Sequence, residues 1–150
     1  MCLFKAEKGV EEINMRTRYL FGFFTLACTT PVHAQSPSVN APPPDVTPVM
    51  TQELPEYPGK EVLILEVQYP PGGADPVHRH DAHGFVYVLE GSVVMGVKGG
   101  KEVTLVPGQS FYEGPQDVHT IGRNASQEKP AKFVVFLLKD ADKPALLPAQ

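Results

Sequence analysis

Cysteine is scarce in this chain, and what there is lies at one end: Cys2 and Cys28 are the only two in 150 residues. A domain built from the remainder has no disulfide, no thiolate metal ligand and no cysteine nucleophile to use. Basic residues are also in the minority, 13 against 17 acidic ones, for a net charge of −4. No basic stripe is visible, which argues against nucleic acid as a partner. Long apolar runs are lacking too. The stretch Tyr19 to Ala27 is too short to span a bilayer with ease. No segment carries helix-period amphipathicity over a useful length, and there is no internal repeat.

The ends of the chain read as addressing and tethering. Arg16 and Arg18 precede the apolar run, and Val32 and Ala34 suit a small-residue cleavage site. Residues 1–34 are therefore expected to be a signal peptide, starting in effect at Met15 and cleaved after Ala34. Two other readings are an apolar N-terminal helix of a cytosolic protein and a lipoprotein anchored at Cys28, although Thr25 stands where a lipobox prefers leucine. Cleavage leaves 116 residues with no thiol and a net charge of −5. The expected location is periplasmic or secreted, with no membrane span after cleavage. Residues 35–59, with Pro42, Pro43, Pro44, Pro48, Pro55 and Pro58, read as a proline-rich arm or linker and not as a helix. Residues 60–140 form the expected domain. Residues 141–150, with Pro144 and Pro148, read as a loose tail.

Strand signals fill the middle. β-branched and apolar residues run over 61–69, 85–91, 92–97, 102–106, 110–113 and 131–138. Glycine and proline turns separate them every eight to twelve residues or so, as in a β-sandwich or small barrel. The expected class is all-β.

Four histidines stand in or beside these strands: His78, His80 and His83 in one short run, and His119 about forty residues on. The fifth, His33, falls in the expected leader. Imidazole is the commonest protein ligand for a transition metal. Alternation along an extended chain points both rings of an H-x-H pair to one face, and a ring from a distant strand can complete one face of a coordination polyhedron. Ligand type alone does not choose between Fe, Mn, Ni, Cu and Zn.

The order of strands and motifs resembles the cupin family, over residues 60–138. The first cupin motif runs glycine, five residues, H-x-H, a glutamate a few residues on, and a closing glycine. Here Gly72 precedes His78-Arg79-His80 by that spacing, and Val86-Tyr87-Val88-Leu89-Glu90-Gly91 closes the motif. The second motif begins at Gly108 and carries His119 in register. The resemblance implies a double-stranded β-helix (jelly-roll) barrel and a divalent transition metal on His78, His80 and His119. Two departures stand out. The family's ligand glutamate falls on Gly84. In the second motif Gly114 takes the usual place of a proline displaced to Pro115, and Asn124 lies one residue beyond the expected asparagine.

Without that glutamate the ligand set is neutral, which favours an anionic chelating substrate, or dioxygen beside it. Some cupin dioxygenases resemble this, binding ferrous iron through three histidines. His83 is ambiguous. On a regular strand it points away from the metal, whereas a bulge at Asp81-Ala82 would turn it inward as a fourth ligand. Tyr87, Tyr112 and Glu113 are candidate pocket polar groups, each read first as a packing or rim residue, and Arg79 reads as surface. No catalytic acid or base is identifiable. The functional expectation is an exported small cupin, a dioxygenase-like or other metal-dependent enzyme on a small molecule. The alternative is a non-catalytic, metal-dependent module binding a carboxylate or sugar-like ligand. Exposed Val and Phe on the outer sheet face would favour a homodimer.

Overall fold

A computed structural model of the chain describes residues 40–149. The expected signal peptide lies outside the described residues. Ten strands follow in chain order: β1 (Asp45–Glu53), β2 (Lys60–Tyr69), β3 (His78–Arg79), β4 (Ala82–Glu90), β5 (Val93–Val97), β6 (Val103–Leu105), β7 (Ser110–Glu113), β8 (Val118–Asn124), β9 (Ala131–Asp140) and β10 (Leu147–Pro148). None of the described residues is helical, and no helix among them is long and apolar enough to cross a membrane. Two five-stranded sheets result, in the orders β1-β2-β9-β4-β7 and β10-β3-β8-β5-β6. Every strand pair is antiparallel. This is the all-β, double-stranded β-helix expected from the sequence.

Alternation sets which residues face inward. In β4, Ala82, Gly84, Val86 and Val88 are buried while His83, Phe85 and Tyr87 are exposed. In β9, Ala131, Phe133, Val135 and Leu137 are buried. These meet Val67, Tyr69, Val93 and Met95 in one core, with the Tyr69 and Phe133 rings edge-on at 5.1 Å. Burying each larger apolar side chain contributes about 1.5–3 kcal/mol. Gly91 ends β4 with φ of 71°, and a Cβ there would lie 2.6 Å from the Pro130 carbonyl oxygen. Any side chain at that turn would meet both backbone strain and a collision.

Four short or unusual strands carry little propensity of their own. β1 lies within the proline-rich stretch read as an arm. It pairs with β2 along its length, and its register slips between Pro48 and Met50. An edge strand tolerates proline there because one side of its ladder is free. β10, in the stretch read as a loose tail, pairs Leu147 with Arg79 and Pro148 with His78. β3 and β8 bring the histidines together, as described next.

At the end of β8, Asn124 pins two loops, β2–β3 and β8–β9. Its buried side-chain amide donates to the carbonyls of Pro70 at 2.9 Å and Lys129 at 2.8 Å, and its Oδ1 accepts from the Ser126 amide at 2.9 Å.

Candidate metal centre

Sheet pairing makes the histidines converge. His78 on β3 and His119 on β8 are direct cross-strand partners, so their side chains leave neighbouring backbones toward one face. Alternation along 78–80 buries His78 and His80 and leaves Arg79 half-exposed, where it pairs with Asp81. The result is a buried cluster in which one nitrogen of each of His78, His80 and His119 lies within 4.8 Å of the others. The ring centroids of His78 stand 4.8 Å from His80 and 4.9 Å from His119.

Hydrogen bonds fix the tautomers. His78 Nδ1 lies 2.8 Å from the Pro76 carbonyl oxygen, His80 Nδ1 contacts the Ala145 carbonyl, and His119 Nε2 lies 2.6 Å from the Ile121 carbonyl. A carbonyl oxygen only accepts, so each of these nitrogens carries the hydrogen. The opposite nitrogen of each neutral ring is then a bare lone pair: His78 Nε2, His80 Nε2 and His119 Nδ1. His78 Nε2 and His80 Nε2 are 3.2 Å apart, and His119 Nδ1 is buried with no hydrogen-bond partner. Protonation would relieve this crowding, but burial lowers the pKa of all three rings, that of His119 to about 4. Bare lone pairs held together in a buried cluster, each with its far nitrogen tied to a backbone acceptor, are the arrangement metal-ligating histidines adopt. A metal–nitrogen bond of about 2.0–2.1 Å places neighbouring ligand nitrogens roughly 3.0–3.4 Å apart, and the His78–His80 separation falls in that interval. These residues fit a divalent transition metal. The donor set does not choose which one.

His83 is not brought to the cluster. β4 is regular at that point, and His83 lies on its exposed face. There its Nδ1 hydrogen-bonds with the Tyr112 hydroxyl at 2.8 Å, and the two rings stack. Tyr87 and Tyr112 are also exposed on the outer face.

Two carboxyl groups lie beside the cluster, and one of them, Asp75, was not singled out from the sequence. Glu113, read as a packing or rim residue, is only 3% exposed. Its Oε2 lies 3.4 Å from His119 Nδ1 and its Oε1 3.9 Å from His80 Nε2. Burial raises its pKa to about 7, with the charges of Asp75 and Asp117 adding to the effect. Its contact with His119 therefore joins a neutral imidazole to a carboxyl ionised only above about neutrality. Asp75 accepts a hydrogen bond from the buried Tyr69 hydroxyl, and burial raises its pKa to about 6 against that bond. One signal for Glu113 was available: on β7 it shares parity with Phe111, so period two sends both inward. Asp75 sits between strands, where periodicity says nothing. Carboxyl groups thus stand beside the histidines although Gly84 takes the place of the motif glutamate.

The cluster forms the polar floor of a pocket of about 150 Å³ between the sheets. Its walls are apolar, including Leu65, Val86, Met95, Phe133, Val135 and Leu146.

Two antiparallel sheets closed over three convergent imidazoles define a jelly-roll barrel with a candidate metal centre inside. A family model described as a cupin domain matches residues 65–137, and that stretch of the chain belongs to the cupin superfamily. Solved structures share the fold. A cupin domain protein from Bordetella pertussis Tohama I is 24% identical, with TM-score 0.53, over 68% of this chain and 99% of that one. An oxalate oxidase in complex with glycolate is 22% identical, with TM-score 0.53, over 69% and 54%. The DMSP lyase DddQ from Ruegeria pomeroyi DSS-3 is 19% identical, with TM-score 0.51, over 59% and 43%. The chain thus spans about half the length of the lyase and oxidase it resembles. No curated protein matches it significantly in sequence.

Proposed function

We propose that the protein is a small exported metalloenzyme acting on a compact molecule that has an oxygen donor and a largely apolar body. The observation that carries this reading is the set of bare imidazole nitrogens of His78, His80 and His119, two of them 3.2 Å apart in a buried pocket. A bound divalent metal would supply Lewis acidity, or a meeting place for substrate and dioxygen. The chain's own groups would do the rest. Leu65, Phe133 and Val135 line the pocket and keep water from the substrate body. Asp75, with a pKa of about 6, is placed to take a proton from a bound ligand, and the Tyr69 hydroxyl orients its carboxyl. The pocket volume suits a molecule of about the size of benzene. Apolar walls suit a sugar poorly. The similar structures named for oxalate oxidase and DMSP lyase support metal-assisted chemistry on small organic acids only as an analogy of fold.

Export rests on Arg16, Arg18, the apolar run 19–27 and the small residues before Gln35. We further propose a homodimer through the outer face of β4, β7 and β9, where Phe85, Tyr112 and Phe136 are exposed side by side.

The test is metal content of the full chain, then oxygen uptake and product formation with thiols, diketones, phenolic acids and small dicarboxylates. Turnover that His119→Ala abolishes and His83→Ala preserves supports the enzyme reading. Stoichiometric metal with ligand binding but no turnover moves the protein to the binding-module reading. Absence of metal after reconstitution overturns both.

A further inference from the structure

The geometry points to Glu113 as a carboxylate ligand of the metal, delivered from β7 in place of the glutamate that β4 lacks at Gly84. This rests on the metal reading above and adds a ligand the three-histidine set does not contain.

Gly84 and Glu113 are direct partners across the β4–β7 ladder, and both face the barrel interior. Cross-strand partners start their side chains about 4.5–5.5 Å apart. A carboxylate from 113 thus starts one pair spacing from where one at 84 would start. The two side chains exclude each other. A Cβ on Gly84 would lie 2.8 Å from Glu113 Cγ and 3.3 Å from its Oε1. The Glu113 side chain therefore lies across the glycine, in the volume a residue at 84 would take. Glycine at 84 is what opens that path.

The carboxyl ends where a ligand would. Its two oxygens lie 3.4 Å from His119 Nδ1 and 3.9 Å from His80 Nε2, which are two of the three bare nitrogens. Neither nitrogen has a hydrogen to donate, since each ring spends its hydrogen on a backbone carbonyl. Carboxyl oxygens and nitrogen lone pairs facing one another repel unless a proton or a cation stands between them. One divalent ion held by three neutral imidazoles needs negative charge nearby, and the buried Glu113 supplies it from within contact distance of two ligands.

Cobalt(II) titrated into the metal-free full chain, wild type and Glu113→Gln, tests this, read by calorimetry and the visible absorption of the bound ion. Glutamine keeps the shape and removes the charge. The expected result is one ion in wild type, at least tenfold weaker binding in Glu113→Gln and an altered spectrum. Should the variant fail to fold, wild type alone decides. With glutamate isotopically labelled at its side-chain carboxyl, the infrared difference spectrum on metal addition must show a labelled carboxylate band shift. Equal affinity and spectrum in the variant, or no labelled band shift in wild type, overturns the inference while leaving the three-histidine site standing. Wild type that binds no cobalt at all, with His119→Ala indistinguishable from it, overturns the metal reading itself.

Discussion

The imidazole of His80 donates its Nδ1 hydrogen to the carbonyl oxygen of Ala145, 65 residues further along the chain. The last stretch of sequence thus sets the tautomer of a buried histidine. Ala145 and Leu146 also close one side of the pocket. Removing residues 145–150 is expected to weaken metal binding about tenfold or more, the cost usual for losing a partner behind a ligating histidine. Thermal stability should fall only modestly, since the deletion removes the packing of Ala145 on the core and the two-residue pairing of Leu147 and Pro148 with β3. Competition titration against a chelator measures the first and thermal melting the second. A truncated protein with wild-type affinity would show that the Ala145 carbonyl does not orient His80.

The pH dependence follows from burial. A site of solvent-like histidines would lose metal through the ordinary imidazole range near about pH 6.5. Here burial depresses all three histidines, His119 to about 4, so protons compete for the rings only in more acidic solution. Glu113, raised to about 7, is the group that must lose a proton near neutrality. Affinity in wild type should therefore rise with pH through about 7, and Glu113→Gln should flatten that rise while keeping the acid limb. Calorimetric titration at a series of pH values reads both. A flat wild-type profile across neutrality would contradict the assignment.

The same carboxyl gives a stability effect of opposite sign. Its folded pKa of about 7 stands above its ordinary value of 4.5. The folded state thus binds the proton more tightly, and that contribution is present at low pH and lost as pH rises to about 7. Above that, the metal-free protein holds a buried, ionised carboxylate that glutamine would not. At about pH 8, Glu113→Gln should stabilise the metal-free protein by up to about 3 kcal/mol and destabilise the metal-loaded one. The depressed histidines contribute the other way, losing stability as pH falls from 6.5 toward about 4. They are neutral in both states at about pH 8 and do not blur the comparison. Urea unfolding with and without metal checks it, and a variant less stable in both states would rule it out.

How much of this the sequence showed depends on how local each signal is. β4 and β9 were legible because β-branched and apolar residues crowd together there, bounded by Gly91 and Pro130. His78 and His80 were legible because two residues apart on an extended chain means one face. His119 came from motif register and not from periodicity. What stayed hidden depends on lateral pairing. Glu113 matters because β7 lies beside β4 in a register that opposes it to Gly84, and one-dimensional sequence does not print which strands are neighbours. β1 and β10 were masked by prolines, which count against a strand everywhere except at an edge or a strand end. Tyr69 and Asp75 meet across a loop that no period describes.

The outer face of β4, β7 and β9 carries Phe85 with Tyr112 at 5.3 Å between ring centroids, and Phe136 is the cross-strand partner of Phe85 on the other side. If this face joins two copies, Phe85→Lys places a charge in its middle and should shift the sedimentation coefficient from dimer to monomer, leaving metal affinity unchanged. Wild type sedimenting as a monomer at about micromolar concentration would dismiss the dimer.

Asn124 should prove structural. Its amide satisfies the Pro70 and Lys129 carbonyls and its oxygen satisfies the Ser126 amide, and it is 1% exposed. Asn124→Ala leaves buried acceptors and a donor unmet and is expected to cost about 2–4 kcal/mol in urea unfolding, with metal affinity at saturating stability unaffected. A loss below about 1 kcal/mol would mean that water replaces these bonds.

The relation between Gly84 and Glu113 can be probed by trading the two side chains. Gly84→Ala puts a methyl group 2.8 Å from Glu113 Cγ. The glutamate must swing aside, so both stability, by about 1–3 kcal/mol, and metal affinity should fall. Adding Glu113→Ala removes the atom that is struck. The stability loss should then be less than the sum of the single losses, a coupling of about 0.5–3 kcal/mol in a double-mutant cycle. Gly84→Glu combined with Glu113→Ala goes further, returning a carboxylate from β4 to the cleared volume. It should bind cobalt more tightly than Glu113→Ala alone, because the histidines are untouched and only the strand that presents the carboxylate has changed. Full additivity in the cycle would mean that the two positions do not share space.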